Sequence, residues 1–373
     1  MVETKVDDVY LRLAKRIGND FENFGEYRTT PKIFKHLLTP EQAELADALP
    51  GVPEELATKV GHALESVKKD LDYMYRLGIG TPSSKSGKWN LPRSPMLFMD
   101  KLCTHHRNAP APFRHLLQEL QMEREKKREG VSEEVWLPLS SSGTLGRRIV
   151  PAYTTVKDKP ELQPWESMKG LLQTADKIAR VDCPCRMRFP GEKSCQMPNV
   201  TEVCFLLNRD AEYAVDSGSA TKFLTIDEAM KHVERMEKAG MVHNATNVRT
   251  ITSLLCNCCI DHCMVMYRYF RDGKPRGQRN PSRWRPVVDN ELCVGCGVCE
   301  ERCWFDAISR KRDSVGELKA VVDAELCMGC GSCVVGCPHG ALDMECVRPE
   351  DWVPSGMQVR PGESRDYPQN ANS

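Results

Sequence analysis

Two cysteine-rich segments near the C-terminus share one spacing, and this spacing restricts the fold more than any other feature of the chain. Each has three cysteines spaced C-x-x-C-x-x-C and a fourth after three further residues: Cys293, Cys296, Cys299 and Cys303, then Cys327, Cys330, Cys333 and Cys337. Three thiols in one short loop cannot all point to distant partners. The spacing therefore predicts that each loop wraps around a shared group.

The sequence around the two segments is duplicated as well. Residues 287–293 read Val-Val-Asp-Asn-Glu-Leu-Cys, and residues 321–327 read Val-Val-Asp-Ala-Glu-Leu-Cys. An apolar pair follows each segment, Ala307-Ile308 in the first copy and Ala341-Leu342 in the second. We predict two copies of one unit, each made of a strand, a cysteine-bearing loop and a short helix.

This pattern resembles that of the bacterial dicluster ferredoxins, in which the fourth cysteine of each segment binds the cluster of the other segment. The resemblance implies two [4Fe–4S] clusters, one bound by Cys293, Cys296, Cys299 and Cys337, the other by Cys327, Cys330, Cys333 and Cys303. Trp304 stands where the family usually has proline, and we expect it to shield a cluster from water. Structural zinc is a weak alternative, because zinc sites favour pairs of C-x-x-C over triplets.

Eight further cysteines form a group in the middle of the chain. They are Cys183, Cys185, Cys195, Cys204, Cys256, Cys258, Cys259 and Cys263. Eight thiols suffice for two sites of four, and the adjacent Cys258 and Cys259 point in different directions, which suits two different sites. We expect one or two additional [4Fe–4S] clusters here, with structural zinc or redox-active thiols as the alternatives.

The middle group resembles a family of proteins from anaerobes that are described as 4Fe–4S dicluster-containing. The shared motifs are C-x-C-R at 183–186, E-x-C at 202–204, A-G-x-V-H at 239–243 and C-N-C-C at 256–259, followed by the two ferredoxin repeats. The resemblance extends to the N-terminus and covers most of the chain. Family members often have a further cysteine after C-N-C-C where this chain has His262, which therefore either binds iron or packs.

The N-terminal part predicts three helices and a hairpin over residues 30–92. Thr39-Pro40-Glu41 has the N-cap residue and the first-turn proline that begin a helix. Two more helices are predicted over 53–60 and 64–77, followed by a hairpin with a polar tip at 83–88. This order is typical of a winged helix, and a small helical packing domain is the alternative.

The predicted fold class is therefore α+β, with five regions along the chain. They are a winged-helix-like domain (30–92), a mixed, largely helical cysteine-rich middle module (93–270), a basic linker (271–286), a dicluster ferredoxin domain (287–348) and an extended tail (349–373). In the middle module, helices are predicted over 166–180 and 226–239. The linker's cations either dock an acidic partner or are solvated.

Composition excludes several classes of protein. The 52 basic and 52 acidic residues balance, so no global positive field attracts nucleic acid or an anionic membrane. The N-terminus lacks the pattern of a secretory signal. No stretch approaches the roughly 18 uninterrupted apolar residues of a membrane helix. Together with cysteines grouped too tightly for a disulfide framework, these features predict a cytoplasmic protein.

No catalytic constellation stands out, and one-electron transfer requires no acid, base or nucleophile. We therefore predict an iron–sulfur electron-transfer protein, or the electron-transfer subunit of an anaerobic oxidoreductase complex. Its expected partner is a flavin- or metal-containing oxidoreductase.

Two other functions compete with electron transfer. One is a redox- or cluster-sensing transcription regulator that binds DNA through its N-terminal domain. The other is an enzyme that uses a site-differentiated cluster in the middle module. No nucleic-acid partner is expected, because the third predicted helix mixes cations with carboxylates: Lys68, Lys69 and Arg76 with Glu65, Asp70 and Asp72.

Overall fold

The computed structural model describes residues 8–18, 28–83, 85–92, 101–102, 111–128, 147–187, 202–249, 253–260, 263 and 279–355. The chain divides into two compact units. The first comprises Met1–Ser141, Val181–Ser194 and Tyr213–Thr221, and the second comprises Ser142–Arg180, Cys195–Glu212 and Lys222–Ser373. In the described part of the chain, no helix combines the length and the apolar character needed to cross a membrane.

The first unit is mainly helical. Its elements are α1 (Asp8–Gly18), α2 (Thr29–Leu37), α3 (Pro40–Ala48), α4 (Pro53–Val60), α5 (Leu64–Arg76), the antiparallel hairpin β1 (Thr81–Pro82) and β2 (Trp89–Asn90), and α6 (Ala111–Arg128). Thr39 begins α3 with a capping box, accepting a hydrogen bond from the Gln42 amide while the Gln42 side chain bonds back. The three helices and the hairpin thus occur in the predicted order, and the winged-helix class stays a prediction.

The core of the first unit follows the helical periodicity of its sequence. Val67, Leu71 and Met74 lie on one face of α5, are fully buried, and pack in one cluster with Ile33 and Phe34 of α2. Residues three and four apart share a helix face, so this spacing accounts for the buried side of α5.

The second unit contains a six-stranded sheet. Its strands are β3 (Arg147–Val150), β4 (Ile178–Asp182), β5 (Glu202–Leu207), β6 (Val242–Thr246), β7 (Leu254–Cys258) and β8 (Arg279–Asn280), in the order β4-β5-β7-β6-β3-β8. The ladders β5–β7, β7–β6 and β6–β3 are antiparallel, and β3–β8 is parallel. The described part of the predicted middle module thus contains, beside its helices, a sheet that the sequence did not predict.

The second unit also contains α7 (Tyr153–Val156), α8 (Met168–Gln173) and α11 (Ile226–Lys238). Helix α9 (Pro184–Met187) belongs to the first unit, and α10 (Arg209–Asp216) is divided between the two units. Helix α11, predicted over 226–239, begins at a Thr225–Glu228 capping box. Its buried residues Ala229 and Val233 pack against Phe205 of β5. One face of the sheet is thus covered by helices.

The predicted helix over 166–180 is divided between a helix and a strand. Ser167 begins α8 by accepting a hydrogen bond from the Gly170 amide, but the helix ends at Gln173. Ile178 and Val181 then lie in β4, where buried β-branched side chains favour a strand.

The C-terminal domain repeats one unit. The first copy contains β9 (Trp284–Val288), α12 (Val298–Glu301) and β10 (Ile308–Arg312), and the second contains β11 (Leu318–Val322), α13 (Ser332–Gly336) and β12 (Leu342–Cys346). Strand β9 pairs antiparallel with β12, and β10 pairs antiparallel with β11. Both ladders therefore join one copy to the other, and the predicted duplication is present.

The described part of the segment 271–286 differs from its prediction as an exposed linker. Residues 279–286, the described part of it, contribute to β8 and β9. Trp284 is fully buried, and the guanidinium of Arg283 is buried in an ion pair 2.7 Å from the carboxylate of Glu166. The basic residues of this segment suggested that it is exposed to solvent. A buried cation is stable when it is paired with an anion, and the sequence does not reveal the pairing of Arg283 with Glu166.

Candidate metal centres

The first cysteine loop lines a cavity with about 320 Å³ of empty space, part of it open to solvent. Four thiols lie on its wall: Cys293, Cys296, Cys299 and Cys337. The first three come from the first copy, and Cys337 comes from the end of α13 in the second. The structure thus brings together the four cysteines that the ferredoxin resemblance assigned to one cluster.

The second loop brings together Cys303, Cys327, Cys330 and Cys333. Burial, together with the nearby sulfurs of Cys303 and Cys327, raises the pKa of Cys330 to about 12. Cys303 likewise contributes to the raised pKa of Cys333 and of Cys327, where burial is again the largest cause. Cys303 of the first copy therefore lies among the three cysteines of the second loop, as the crossed assignment requires.

Backbone amides point at several of these sulfurs. The amide of Ala307 donates to Cys303 Sγ over 3.3 Å, and that of Ala341 donates to Cys337 Sγ over the same distance. Cys293 Sγ and Cys327 Sγ each accept an amide bond of 3.4 Å. Hydrogen bonds to a thiolate stabilise its negative charge and tune the potential of an iron–sulfur centre.

Gly295 and Gly329 let the two loops pass close to a strand. Both have positive φ angles, 66° and 67°. A Cβ added at Gly295 would strike the carbonyl oxygen of Leu318, and one added at Gly329 would strike that of Trp284. The donors, the cavity and this close backbone approach all suit a compact group held by thiolates.

The two loops differ in what surrounds them. Val294 is 61% exposed and Cys296 is exposed in the first loop, whereas Met328, which takes the place of Val294 in the second, is 1% exposed. The second loop is covered by the chain before it: the amide of Ala152 donates to Cys330 O over 2.9 Å, and that of Ser282 donates to Met328 O over 3.0 Å.

Some of the middle cysteines converge on the sheet. Cys204 lies in β5, Cys256 and Cys258 lie in β7, and Cys263 follows β7; all four are buried. Burial and hydrogen bonding to Cys256 and Cys263 raise the pKa of Cys258 well above its usual range, with the hydrogen bonds the larger cause. Four of the eight predicted ligands of the middle module thus lie in one region.

The other middle cysteines lie elsewhere or outside the described residues. Cys259 is buried directly after β7. Cys183 and Cys185 belong to the first unit, just before and within α9. Cys195 and His262 lie outside the described residues.

Arg147 at the start of β3 is a residue that the sequence analysis missed. Its Nη2 donates to Cys256 Sγ over 3.2 Å, and its Nε donates to Asn244 Oδ1 over 2.6 Å. Burial would lower the pKa of Arg147, but four thiols outweigh it and raise the pKa: Cys256, Cys258, Cys263 and Cys204. Only the strand pairing brings Arg147 here, so no sequence signal indicated it.

A buried polar network lies on the helix-covered side of the same sheet. His243 Nδ1 lies 2.5 Å from Asn257 Oδ1, and His243 Nε2 lies 3.2 Å from Glu237 Oε1. Glu237 also accepts bonds from the amides of Tyr153 and Thr154. Although burial opposes its charge, the bond from His243 lowers the pKa of Glu237. The A-G-x-V-H and C-N-C-C motifs supplied the signal for His243 and Asn257.

Within the described ranges, no three His, Cys, Asp or Glu side chains are arranged to hold a single metal ion. The thiolates of a cubane cluster each bind a separate iron, so they need not share one ion.

Comparison with known proteins agrees with the geometry of the C-terminal domain. Residues 292–341 match the family model of the 4Fe-4S dicluster domain. No curated protein and no solved structure matches the chain. Taken with the two sets of four thiols, the match identifies the C-terminal part of this chain as a ferredoxin-type 4Fe–4S dicluster domain.

Proposed function

We propose that this chain is an iron–sulfur electron-transfer protein that serves as the electron-transfer subunit of an anaerobic oxidoreductase. It binds two [4Fe–4S] clusters in the C-terminal domain. The observation that carries this proposal is the pair of four-thiol sets, each of which combines three cysteines of one copy with the fourth of the other.

The residues around these sets suit single-electron transfer. When bound, [4Fe–4S] clusters supply one-electron redox chemistry, at potentials that depend on hydrogen bonds to the sulfurs and on exposure to solvent. The chain contributes thiolate ligands, amide donors such as that of Ala341, and an apolar surrounding that includes Ile308 and Leu342. None of these groups has to move a proton.

The exposed first loop is the proposed point of exchange with a redox partner protein. Cys296, Val294 and Leu292 are all exposed there, with Leu292 51% exposed. Close approach favours electron transfer, so a flavin- or metal-containing oxidoreductase would dock where a ligand cysteine reaches the surface. The covered second loop is less accessible to such a partner.

The rival function as a DNA-binding sensor has less support. On α5, Lys68 Nζ lies 3.1 Å from Glu65 Oε1, and Arg76 Nε lies 3.0 Å from Asp72 Oδ2. Cations already paired within their own helix contribute little to phosphate binding, which is the main source of affinity for DNA. We therefore propose that nucleic acid is not a partner.

Anaerobic purification of the full chain, with iron and sulfide analysis and EPR, tests the proposal. We expect at least about eight irons per chain, four from each ferredoxin cluster, and EPR signals from both on reduction with dithionite. Replacement of Cys346 by serine is the matched control, because this cysteine belongs to neither set. A chain that binds only zinc, or binds iron without sulfide, would refute the proposal.

A further inference from the structure

The strand register puts the middle cysteines on one face of the sheet. Asn244 pairs with Cys256 and Val242 with Cys258 across β6 and β7, while Phe205 pairs with Leu255 across β5 and β7. Continuing that last register by one residue sets Cys204 opposite Cys256. Directly opposite residues point to the same side of a sheet, and so do residues two apart on one strand. Cys204, Cys256 and Cys258 therefore share a face.

Arg147 belongs to the same face. Ile149 pairs with Asn244 across β3 and β6, and Arg147 is two residues from Ile149 on β3. Its guanidinium also donates to the carbonyl oxygen of Asn244 over 3.2 Å, which fixes it beside Cys256. A cation held among thiols is compensated when those thiols carry negative charge, as they do when they bind a metal cluster.

This face packs against the second ferredoxin loop. Cys256, Cys258 and Cys263 form one buried cluster with Cys327 and Met328 of that loop and with Phe305 of the first copy. The partly buried Cys303, Trp304 and Cys330 pack against this cluster. The opposite face is occupied instead by the helix-packed Phe205, Leu255 and Val150. The face that carries Cys204, Cys256 and Cys258 therefore lies next to the second ferredoxin loop. An electron would reach it from the cluster at that loop.

We propose that Cys204, Cys256, Cys258 and Cys263 bind a third iron–sulfur cluster, and that Arg147 is the positioned counter-charge that raises its reduction potential. The inference rests on the proposed function, since it requires reducible ferredoxin clusters next to the site. It also assigns the order of electron flow, from the exposed first loop through the covered second loop to this third centre.

The charge balance explains why Arg147 favours this direction. When one electron passes from the centre at the second loop to the third centre, the former is oxidised by one electron and the latter reduced by one. A four-thiolate cluster becomes more negative on reduction, and Arg147 keeps its proton throughout. A fixed positive charge beside Cys256 therefore stabilises the reduced state more than the oxidised state.

The test uses the anaerobically purified full chain and three variants: Cys258→Ser, Arg147→Gln and Arg147→Lys. In the wild-type protein we expect a third EPR centre, which Cys258→Ser removes while both ferredoxin signals remain. In a potentiometric titration, Arg147→Gln lowers the equilibrium constant for reduction of the third centre by about tenfold or more, which is about 59 mV for one electron. Arg147→Lys retains the positive charge and therefore shifts the reduction potential of the third centre by less than half as much as Arg147→Gln.

Each contrary result has a defined meaning. Zinc bound at this site and lost in Cys258→Ser would overturn the inference, as would a third centre that survives Cys258→Ser. If Arg147→Gln loads iron as the wild type does but leaves the potential unchanged, the role of Arg147 is refuted. If the ferredoxin signals are present and no third centre exists, only this inference fails. If the ferredoxin signals are themselves absent, the proposed function fails.

Discussion

The first and second cysteine loops have nearly the same backbone, yet one lies at the surface and the other is covered. In both, an aspartate accepts the amide bonds that form the turn before the first cysteine: Glu291 and Leu292 bond to Asp289, and Glu325 and Leu326 bond to Asp323. Their glycines have matching φ angles. They differ in side-chain exposure, most clearly between Val294 and Met328.

This difference shows that ligand spacing and ligand environment are set by separate parts of the chain. The spacing is internal to each copy, whereas the cover over the second loop comes from Ala152 and Ser282, which precede the domain. Exposure to solvent is one of the factors that set the potential of an iron–sulfur centre. Two loops of the same design can therefore hold centres with different potentials and different access to partners.

The largest expected effect comes from breaking the crossed pairing of the loops. Cys337→Ser removes a thiol from the cavity of the first loop, although Cys337 lies in the second copy. We expect a loss of about four irons and of the signal of the exposed centre, with the signal of the covered centre retained. Iron analysis and EPR measure both. Loss of the covered centre instead would contradict the crossed assignment.

The next effect concerns the glycines of the two loops. Gly329→Ala costs about 1–3 kcal/mol for the left-handed backbone alone, and its Cβ would also strike the fixed, fully buried Trp284. Both added Cβ atoms strike a backbone carbonyl oxygen, but that of Gly329→Ala also strikes the buried Ser282 hydroxyl, whereas that of Gly295→Ala otherwise meets only Leu318, which is 39% exposed. Anaerobic thermal unfolding should therefore show a greater loss for Gly329→Ala.

Gly316→Ala is the control for these two glycine variants. Gly316 also has a positive φ, of 88°, but an added Cβ would meet nothing within 4 Å. It therefore measures the backbone cost without a clash. Equal losses of stability in all three variants would show that the close approach to the strands is unimportant.

A smaller effect tests the covering itself. Met328→Ala deletes a fully buried side chain, which typically costs about 2–5 kcal/mol, whereas Val294→Ala at the exposed equivalent should stay within about 0.5 kcal/mol. Denaturant unfolding of the two holo-proteins under anaerobic conditions gives the comparison. Similar costs at both positions would mean that the two loops are equally covered in solution.

The smallest effect concerns an ion pair that only the second copy makes. Lys159 Nζ lies 2.5 Å from Asp343 Oδ2, and Ser309 stands at the corresponding place of the first copy. Although partial burial opposes it, the hydrogen bond from Lys159 lowers the pKa of Asp343. Since Asp343 is mostly exposed, the pair contributes about 0.5 kcal/mol.

The sign of the pH dependence of this pair follows from the lowered pKa. The contribution is complete above the ordinary aspartate pKa of about 4 and disappears as the pH falls through the lower pKa of the folded protein. Asp343→Asn should abolish the contribution at neutral pH, and Ser309→Asn is the matched control. If the Asp343→Asn variant were as stable as the wild type at pH 7 but less stable at pH 3, the expected direction of the pH dependence would be wrong.

Features within one short stretch of sequence could be predicted. The duplicated cysteine loops and the start of α3 at Thr39 depend on neighbours a few residues apart, so spacing and capping rules suffice. The sheet of the middle module could not be predicted in this way. Its Cys256–Cys258 segment was predicted only as a source of ligands, but the alternation of Cys256 and Cys258 with Asn257 is that of a strand with two different faces.

The site itself was only partly predictable for the same reason. The crossed sets of four cysteines came from a resemblance, and the cavity of the first loop agrees with one of them. The exposure of Val294 and the burial of Met328 depend on tertiary packing, which equal spacing cannot encode. Arg147 meets Cys256 only because β6 lies between β3 and β7 in the sheet.

The two ladders of the C-terminal domain also constrain how the protein can be made. Strand β9 pairs with β12, and β10 pairs with β11, so each ladder needs both copies of the repeat. During synthesis from the N-terminus, the first loop emerges from the ribosome with three of its proposed ligands and must wait for Cys337. The crossed assignment therefore implies that the centre at the first loop is completed only after the second copy has been translated, and a chain arrested before that point would expose thiols and an unpaired strand edge.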